Sequence, residues 1–156
     1  MTRKLCICDL DGVVACSDAR FGRATTNGRV NWGVAFDPEL VALDTLIDGV
    51  PAHLERLERD GYTIAFLTSR PESMTRATLF WLRDRQLLAG ERTLMLKPSS
   101  EQFTKTKVWK ARMVAQFIDD MKADHTIVVE DEKANIEEIA AHLPDVKCFL
   151  MLEEAF

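Results

Sequence analysis

Four cysteines occur in 156 residues, and no two form a Cys-x-x-Cys pair. That removes the usual spacing of a thiolate metal site or a dithiol redox centre. Cys6 and Cys8 stand two apart in an apolar run, so they share one strand face and act as small core side chains. His53, His125 and His142 lack metal-ligand spacing. No apolar stretch approaches the roughly 20 residues that cross a bilayer, so no membrane partner is expected. Basic residues are outnumbered, 20 against 25 acidic, for a net charge of -5. This balance argues against a broad electrostatic grip on duplex nucleic acid but leaves room for a local basic patch at a strand end. Repeats, low-complexity segments and interdomain linkers are absent. The opening Met1-Thr2-Arg3-Lys4 leads straight into a short strand, which predicts no secretory signal and a cytoplasmic location.

What is present is a composition of 47% hydrophobic and 29% charged residues, which fits one globular domain over 1–156. Short apolar runs alternate with amphipathic stretches. Strands are expected near 5–8, 62–67, 94–96, 126–129 and 148–151, and helices over 51–59, 71–88, 105–121 and 132–142. Pro38 opens a further short helical stretch over 39–46. Residues 12–36 are mixed and polar, with Gly22, Gly28 and Gly33 and no clear period, which reads as a long loop or flap. The alternation implies right-handed crossovers and a mainly parallel sheet. The expected fold class is therefore α/β, a Rossmann-like three-layer sandwich with a flap or minimal cap over about 12–50.

Chemistry concentrates at the expected strand ends. Asp9 and Asp11 follow the first apolar run, with Gly12 permitting a sharp exit. Thr68, Lys97 and Glu130-Asp131 end the next three strands. In open α/β sheets, ligands bind outside the carboxyl ends of the strands, so residues roughly 60 and 120 positions apart can meet in one cleft. Carboxylates suit a hard cation, while a hydroxyl, backbone amides and a lysine suit phosphate.

These residues resemble the haloacid dehalogenase superfamily of phosphatases. Asp9-Leu10-Asp11-Gly12-Val13 matches its first motif and Phe66-Leu67-Thr68-Ser69-Arg70 its second. Lys110 before Met113-Val114 fits the third, with Lys107 as the other candidate, and Glu130-Asp131-Glu132-Lys133-Ala134-Asn135 fits the fourth. Within the superfamily the chain is most similar to the phosphatase domain of phage-type polynucleotide kinases, on Thr68-Ser69-Arg70, Trp81, Lys97 and an Arg20 nine residues after Asp11. It departs from that pattern at Glu130, where aspartate is usual, at Val13 in place of threonine, and at Thr106 in place of an acid.

The resemblance implies a Mg²⁺-dependent phosphomonoesterase acting through an aspartyl-phosphate on a nucleotide or a nucleic-acid 3'-phosphate. Asp9 is the implied nucleophile and Asp11 the general acid and base, its pKa raised relative to Asp9. Thr68, the Ser69 amide and Lys110 are implied to hold the phosphoryl group. Arg70, Arg20 and Lys97 are implied substrate contacts. Asp9, the Asp11 carbonyl and Asp131 are the implied metal ligands, and Glu130 is expected to act through a water.

Other readings stand beside these. Thr68 also suits a helix N-cap, and Arg70 a surface ion pair. Trp32 either stacks on a nucleobase or pins the flap to the core; Trp81 and Trp109 read as structural. A small-molecule nucleotidase, a sugar phosphatase, and a phosphate-binding module on a retired enzyme fold are the competing functions. Oligomeric state is open.

Overall fold

A computed structural model describes residues 2–152. The tail 153–156, for which the sequence suggests no role, lies outside the described residues. The elements run β1 (Lys4–Cys8), β2 (Ala15–Cys16), α1 (Asp18–Ala24), β3 (Thr25–Thr26), β4 (Arg29–Val30), α2 (Trp32–Ala35), a 3-10 turn (Pro38–Leu43) and β5 (Thr45–Leu46). They continue with α3 (Val50–Arg59), β6 (Tyr62–Pro71), α4 (Thr75–Asp84), β7 (Thr93–Lys97), α5 (Thr106–Met121), β8 (His125–Val129), α6 (Lys133–His142) and β9 (Lys147–Phe149).

Five strands form one all-parallel sheet in the order β7-β6-β1-β8-β9. Alternation along each strand sorts its side chains to two faces. Cys6, Cys8, Ile64, Phe66, Ile127 and Val129 point to one core, shared with Leu54 and Leu57 of α3 and Trp81 and Leu82 of α4. Leu5, Ile7, Ala65, Leu67 and Val128 point to the other, packed on Trp109 and Val114 of α5 and Ile139 of α6. Helices therefore cover both faces, as the three-layer expectation requires. Each fully buried Leu, Ile or Val contributes roughly 1.5–3 kcal/mol, and the central strand β1 is apolar on both sides for that reason. The two cysteines sit as core residues, with Sγ atoms 3.5 Å apart.

Three expectations need correction. Residues 12–36 are not a featureless loop: they hold α1, α2 and a hairpin of β3 and β4. Asn27 (φ 51°) and Gly28 (φ 75°) form the two-residue turn of that hairpin, a geometry that favours Asn-Gly. The flanking strands are only two residues long, too short to alternate visibly. After Pro38 the chain makes a 3-10 turn and then β5, which pairs antiparallel with β2, rather than a helix over 39–46. The helix expected over 71–88 is confined to Thr75–Asp84, because β6 continues to Pro71 and Gln86 adopts φ 57°. Among the described residues, no helix is long and apolar enough to cross a membrane.

Candidate active site

Parallel register places the ends of β7, β6, β1 and β8 side by side. Cys8 pairs with Phe66 on one side and Val129 on the other, so Asp9, Thr68 and Glu130 emerge along one edge, with Lys97 beyond them. Asp9 makes the last backbone tie to the sheet, its N–H donating to Val129 O at 3.0 Å. The chain then folds back sharply: the amides of Val13, Val14 and Ala15 all donate to Leu10 O. Gly12 sits at φ 82°. A Cβ there would lie 2.1 Å from Asp131 Oδ2, so glycine is required both by the turn and by the approach of the second acid-bearing loop.

The first ionic cluster surrounds Asp9. Lys110 from α5 is buried, with Nζ 3.1 Å from Asp9 Oδ1 and 2.7 Å from Glu130 Oε2. Glu130 Oε1 accepts from the Asp131 and Glu132 amides. Oxygens of Asp9, Glu130 and Asp131 lie within 4.8 Å of one another. Burial, then the neighbouring Glu130 and Asp131, hold the Asp9 carboxyl well above the usual carboxylate range, and Lys110 only partly offsets this. Burial and Glu130 push Asp131 up to about 6 against the pull of Asp9. Burial opposes ionisation of Glu130 and Lys110, but their mutual attraction and Asp9 outweigh it; Glu130 is lowered and Lys110 raised.

The second cluster surrounds Asp11. Arg70 donates from Nε to Asp11 Oδ2 (3.1 Å) and from Nη2 to Asp11 Oδ1 (2.6 Å) and Asp44 Oδ2 (2.7 Å). Arg20 donates from Nη2 to Asp11 Oδ1 (2.7 Å), from Nε to Asp44 Oδ1 (3.0 Å) and from Nη1 to Ala35 O (2.5 Å). Thr78 and the indole N–H of Trp81 complete it, the former accepting from Arg70 and the latter donating to Asp44 O. Two guanidiniums and two carboxylates thus close a ring. Burial opposes the charge on Asp11, yet the Arg70 hydrogen bonds and both arginines hold its carboxyl below the usual range.

The structure brings Asp9, Asp11, Lys110, Glu130 and Asp131 together, and Lys110 rather than Lys107 reaches the acids. Ser69 and Lys97 line the same cleft, which has a volume of about 930 Å³. Thr68 lies beneath it, its Oγ1 accepting from the Arg70 amide at 3.2 Å, and caps no helix. Arg20 and Arg70 are placed differently from the expectation: both are buried behind Asp11, neither at the surface nor lining the cleft. Without a cation the proton affinities of Asp9 and Asp11 are also ordered opposite to the expectation, because the arginines neutralise Asp11 while acidic neighbours crowd Asp9. Asp44 was invisible to motif reading. Its only sequence hint is an acid directly after the apolar run Leu40-Val41-Ala42-Leu43, and its partners lie 24 and 26 positions away.

No protein-family model matches the sequence, and no curated protein matches it. Solved structures do. A chain of the Pnkp1/Rnl/Hen1 complex aligns over 95% of this protein at 19% identity and a TM-score of 0.65, with 45% of that chain covered. This protein therefore spans less than half the length of that relative. A hydrolase from Streptococcus pneumoniae TIGR4 aligns over 96% of this chain and 93% of its own, at 16% identity and a TM-score of 0.65. Phosphoserine phosphatase in its apo form aligns over 96% and 94%, at 12% identity and a TM-score of 0.61. At such identities the likeness concerns the fold alone, a parallel sheet covered by helices on both faces.

Proposed function

We propose that the protein is a Mg²⁺-dependent phosphomonoesterase that works through an aspartyl-phosphate and acts on a nucleotide or a nucleic-acid 3'-phosphate. The observation that carries this reading is the convergence of Asp9, Glu130 and Asp131 on Lys110 at the carboxyl edge of the sheet, with Asp11 two residues along. Three carboxylates face one ammonium, and an all-oxygen donor set of this kind fits a hard divalent cation. Asp9, Asp131 and the Asp11 carbonyl would hold Mg²⁺. Both Glu130 oxygens already have partners, which favours its acting through a water. When bound, the ion neutralises charge on the phosphate and on Asp9.

Asp9 attacks phosphorus, forming a new O–P bond as the bond to the leaving oxygen breaks. Asp11 supplies the proton that the leaving oxygen needs. Arg20 and Arg70 fix its carboxylate, and an arriving phosphate adds negative charge beside it, raising its proton affinity in the direction this step requires. In the second half, Asp11 takes a proton from water as the water oxygen attacks phosphorus, releasing phosphate and restoring Asp9. Lys110 offsets the negative charge gathered by nucleophile and phosphate. The Ser69 amide and the Thr68 hydroxyl, which keeps its own proton to donate, hold phosphoryl oxygens. Segment 12–50 acts as a minimal cap within a single domain over 1–156. Cysteines 6, 8, 16 and 148 are free, which supports a reducing, cytoplasmic compartment.

A small-molecule nucleotidase is the second reading, favoured by Asp18 and Glu132 at the cleft, since carboxylates there repel a long polyanion more than a single nucleotide. The test is phosphate release from 3'- and 5'-phosphorylated oligonucleotides, mononucleotides and sugar phosphates, with Mg²⁺ and with chelator. Metal-dependent turnover that Asp9→Asn lowers by roughly 10⁴-fold or more, the scale of nucleophile knockouts, is expected. Turnover surviving that substitution overturns the mechanism.

A further inference from the structure

The cleft is chemically two-sided. Its floor, at the strand ends, is polar and carries Asp9, Lys110 and Ser69; the flap adds a wall containing Phe21, Trp32 and Phe36. The Trp32 and Phe36 ring centroids lie 5.2 Å apart at 32°, and Phe21 meets Trp32 edge-on at 6.1 Å and 83°. Trp32 is nevertheless 56% exposed, whereas Trp81 and Trp109 are 2% and 1% exposed. A tryptophan that pinned the flap to the core would be buried like the other two. Here both described ring partners belong to the flap itself, and the free indole surface borders the cleft.

The wall is also tied to the leaving-group side of the site. The Arg20 guanidinium lies 5.1 Å from the Phe21 ring centroid while donating to Asp11 at 2.7 Å. Asp11, Arg20, Phe21 and Trp32 are therefore contiguous, so a group that leaves toward Asp11 departs along the aromatic wall. Held but solvent-exposed, such a surface matches a planar π-system in size and polarity.

Resting on the phosphomonoesterase reading, we infer that Trp32, braced by Phe21 and Phe36, is a stacking platform for a nucleobase carried by the leaving group. The leaving group is then a nucleoside, free or at the end of a strand, and not a simple sugar or amino-acid alcohol. Stacking reads the π-face that every base presents, so the platform selects the class of substrate and tolerates all bases.

The test compares wild type, Trp32→Ala and Trp32→Phe on a nucleoside 3'-monophosphate, a 3'-phosphorylated oligonucleotide and glycerol phosphate. Trp32→Ala is expected to raise KM roughly 5- to 150-fold on a nucleotide substrate, the span of base–aromatic stacking, with little change in kcat. Glycerol phosphate kinetics stay unchanged, and Trp32→Phe recovers most of the loss. The arm with the larger effect identifies a free nucleotide or a strand end as the source of the base. Equal losses on all three substrates, or no loss on any, overturn the platform. Fluorescence quenching by unphosphorylated adenosine provides a readout that needs no turnover. Quenching in wild type that disappears in Trp32→Phe supports the platform even if every phosphomonoester proves inert, and no quenching counts against it even if turnover is brisk.

Discussion

Two ionic clusters meet at the first loop, one on each side of the short path from Asp9 to Asp11, and they are balanced differently. Around Asp11, two guanidiniums face two carboxylates, and the interlocked hydrogen bonds leave no buried side-chain N or O without a partner among the described residues. Around Asp9, three carboxylates face one ammonium. The first arrangement is electrostatically complete and holds a side chain in position. The second carries surplus negative charge at the floor of an open cleft and is suited to take up a cation. Neighbouring carboxylates two residues apart are thus assigned to structure-holding and ligand-holding surroundings by the counter-charges that tertiary folding brings to them.

The difference can be tested from either side. After Asp9→Asn, the largest effect is expected for Lys110→Met, which removes the one ammonium of the incomplete cluster. A loss of roughly 10²–10³-fold in kcat follows if Lys110 stabilises charge during transfer, measured as steady-state phosphate release; near-normal kcat would remove Lys110 from the mechanism. On the complete cluster, Asp44→Ala leaves two buried guanidiniums sharing Asp11. The expected cost is about 3–5 kcal/mol in urea unfolding, with Mg²⁺ affinity little altered. Unchanged stability alongside weakened Mg²⁺ binding would show that the clusters are not separable.

Gly12→Ala strikes the loop that joins them. A strained backbone and a clash with Asp131 predict a loss of about 1–3 kcal/mol in stability, together with weaker Mg²⁺ binding by titration calorimetry. The smallest effect concerns pH. Asp131 is held at about 6 when no cation is bound, above its ordinary carboxylate range, so the folded protein binds that proton more tightly than the unfolded chain. The resulting stability is full below the unfolded pKa and is lost as pH rises through about 6. Thermal unfolding without metal should therefore show Tm falling over this window, while saturating Mg²⁺ reverses the trend because protons compete with it. A metal-free Tm that is flat or rising there would contradict the crowding of acids around Asp9.

Much of this site was legible because it follows from local rules. Apolar runs ending in Asp9, Thr68, Lys97 and Glu130 gave the strand ends, and parallel topology then required those ends to be neighbours. The Asp11 surroundings were less accessible. Arg20, Asp44 and Arg70 come from α1, the chain between the 3-10 turn and β5, and β6, and no periodicity predicts that three distant charged residues will pair in the interior. Both the substrate-contact and the surface ion-pair readings of Arg70 suppose an accessible guanidinium, the usual behaviour of arginine; the balancing Asp44 makes its burial possible. The flap was equally opaque, because its elements are two to seven residues long and complete no convincing repeat of either period.

The strand order has an evolutionary consequence. Each crossover begins and ends on the sheet, and the four strand-end groups are anchored by register, not by the lengths of the segments between them. Insertions within the crossovers can accumulate without shifting Asp9 relative to Glu130 or Thr68. Segment 12–50 is the exception, since Arg20 within it must still reach Asp11 and Asp44 must still reach Arg20 and Arg70. Variation in its length is constrained at Arg20, Ala35 and Asp44, which the Arg20 guanidinium ties together, and is freest in the exposed hairpin of β3 and β4.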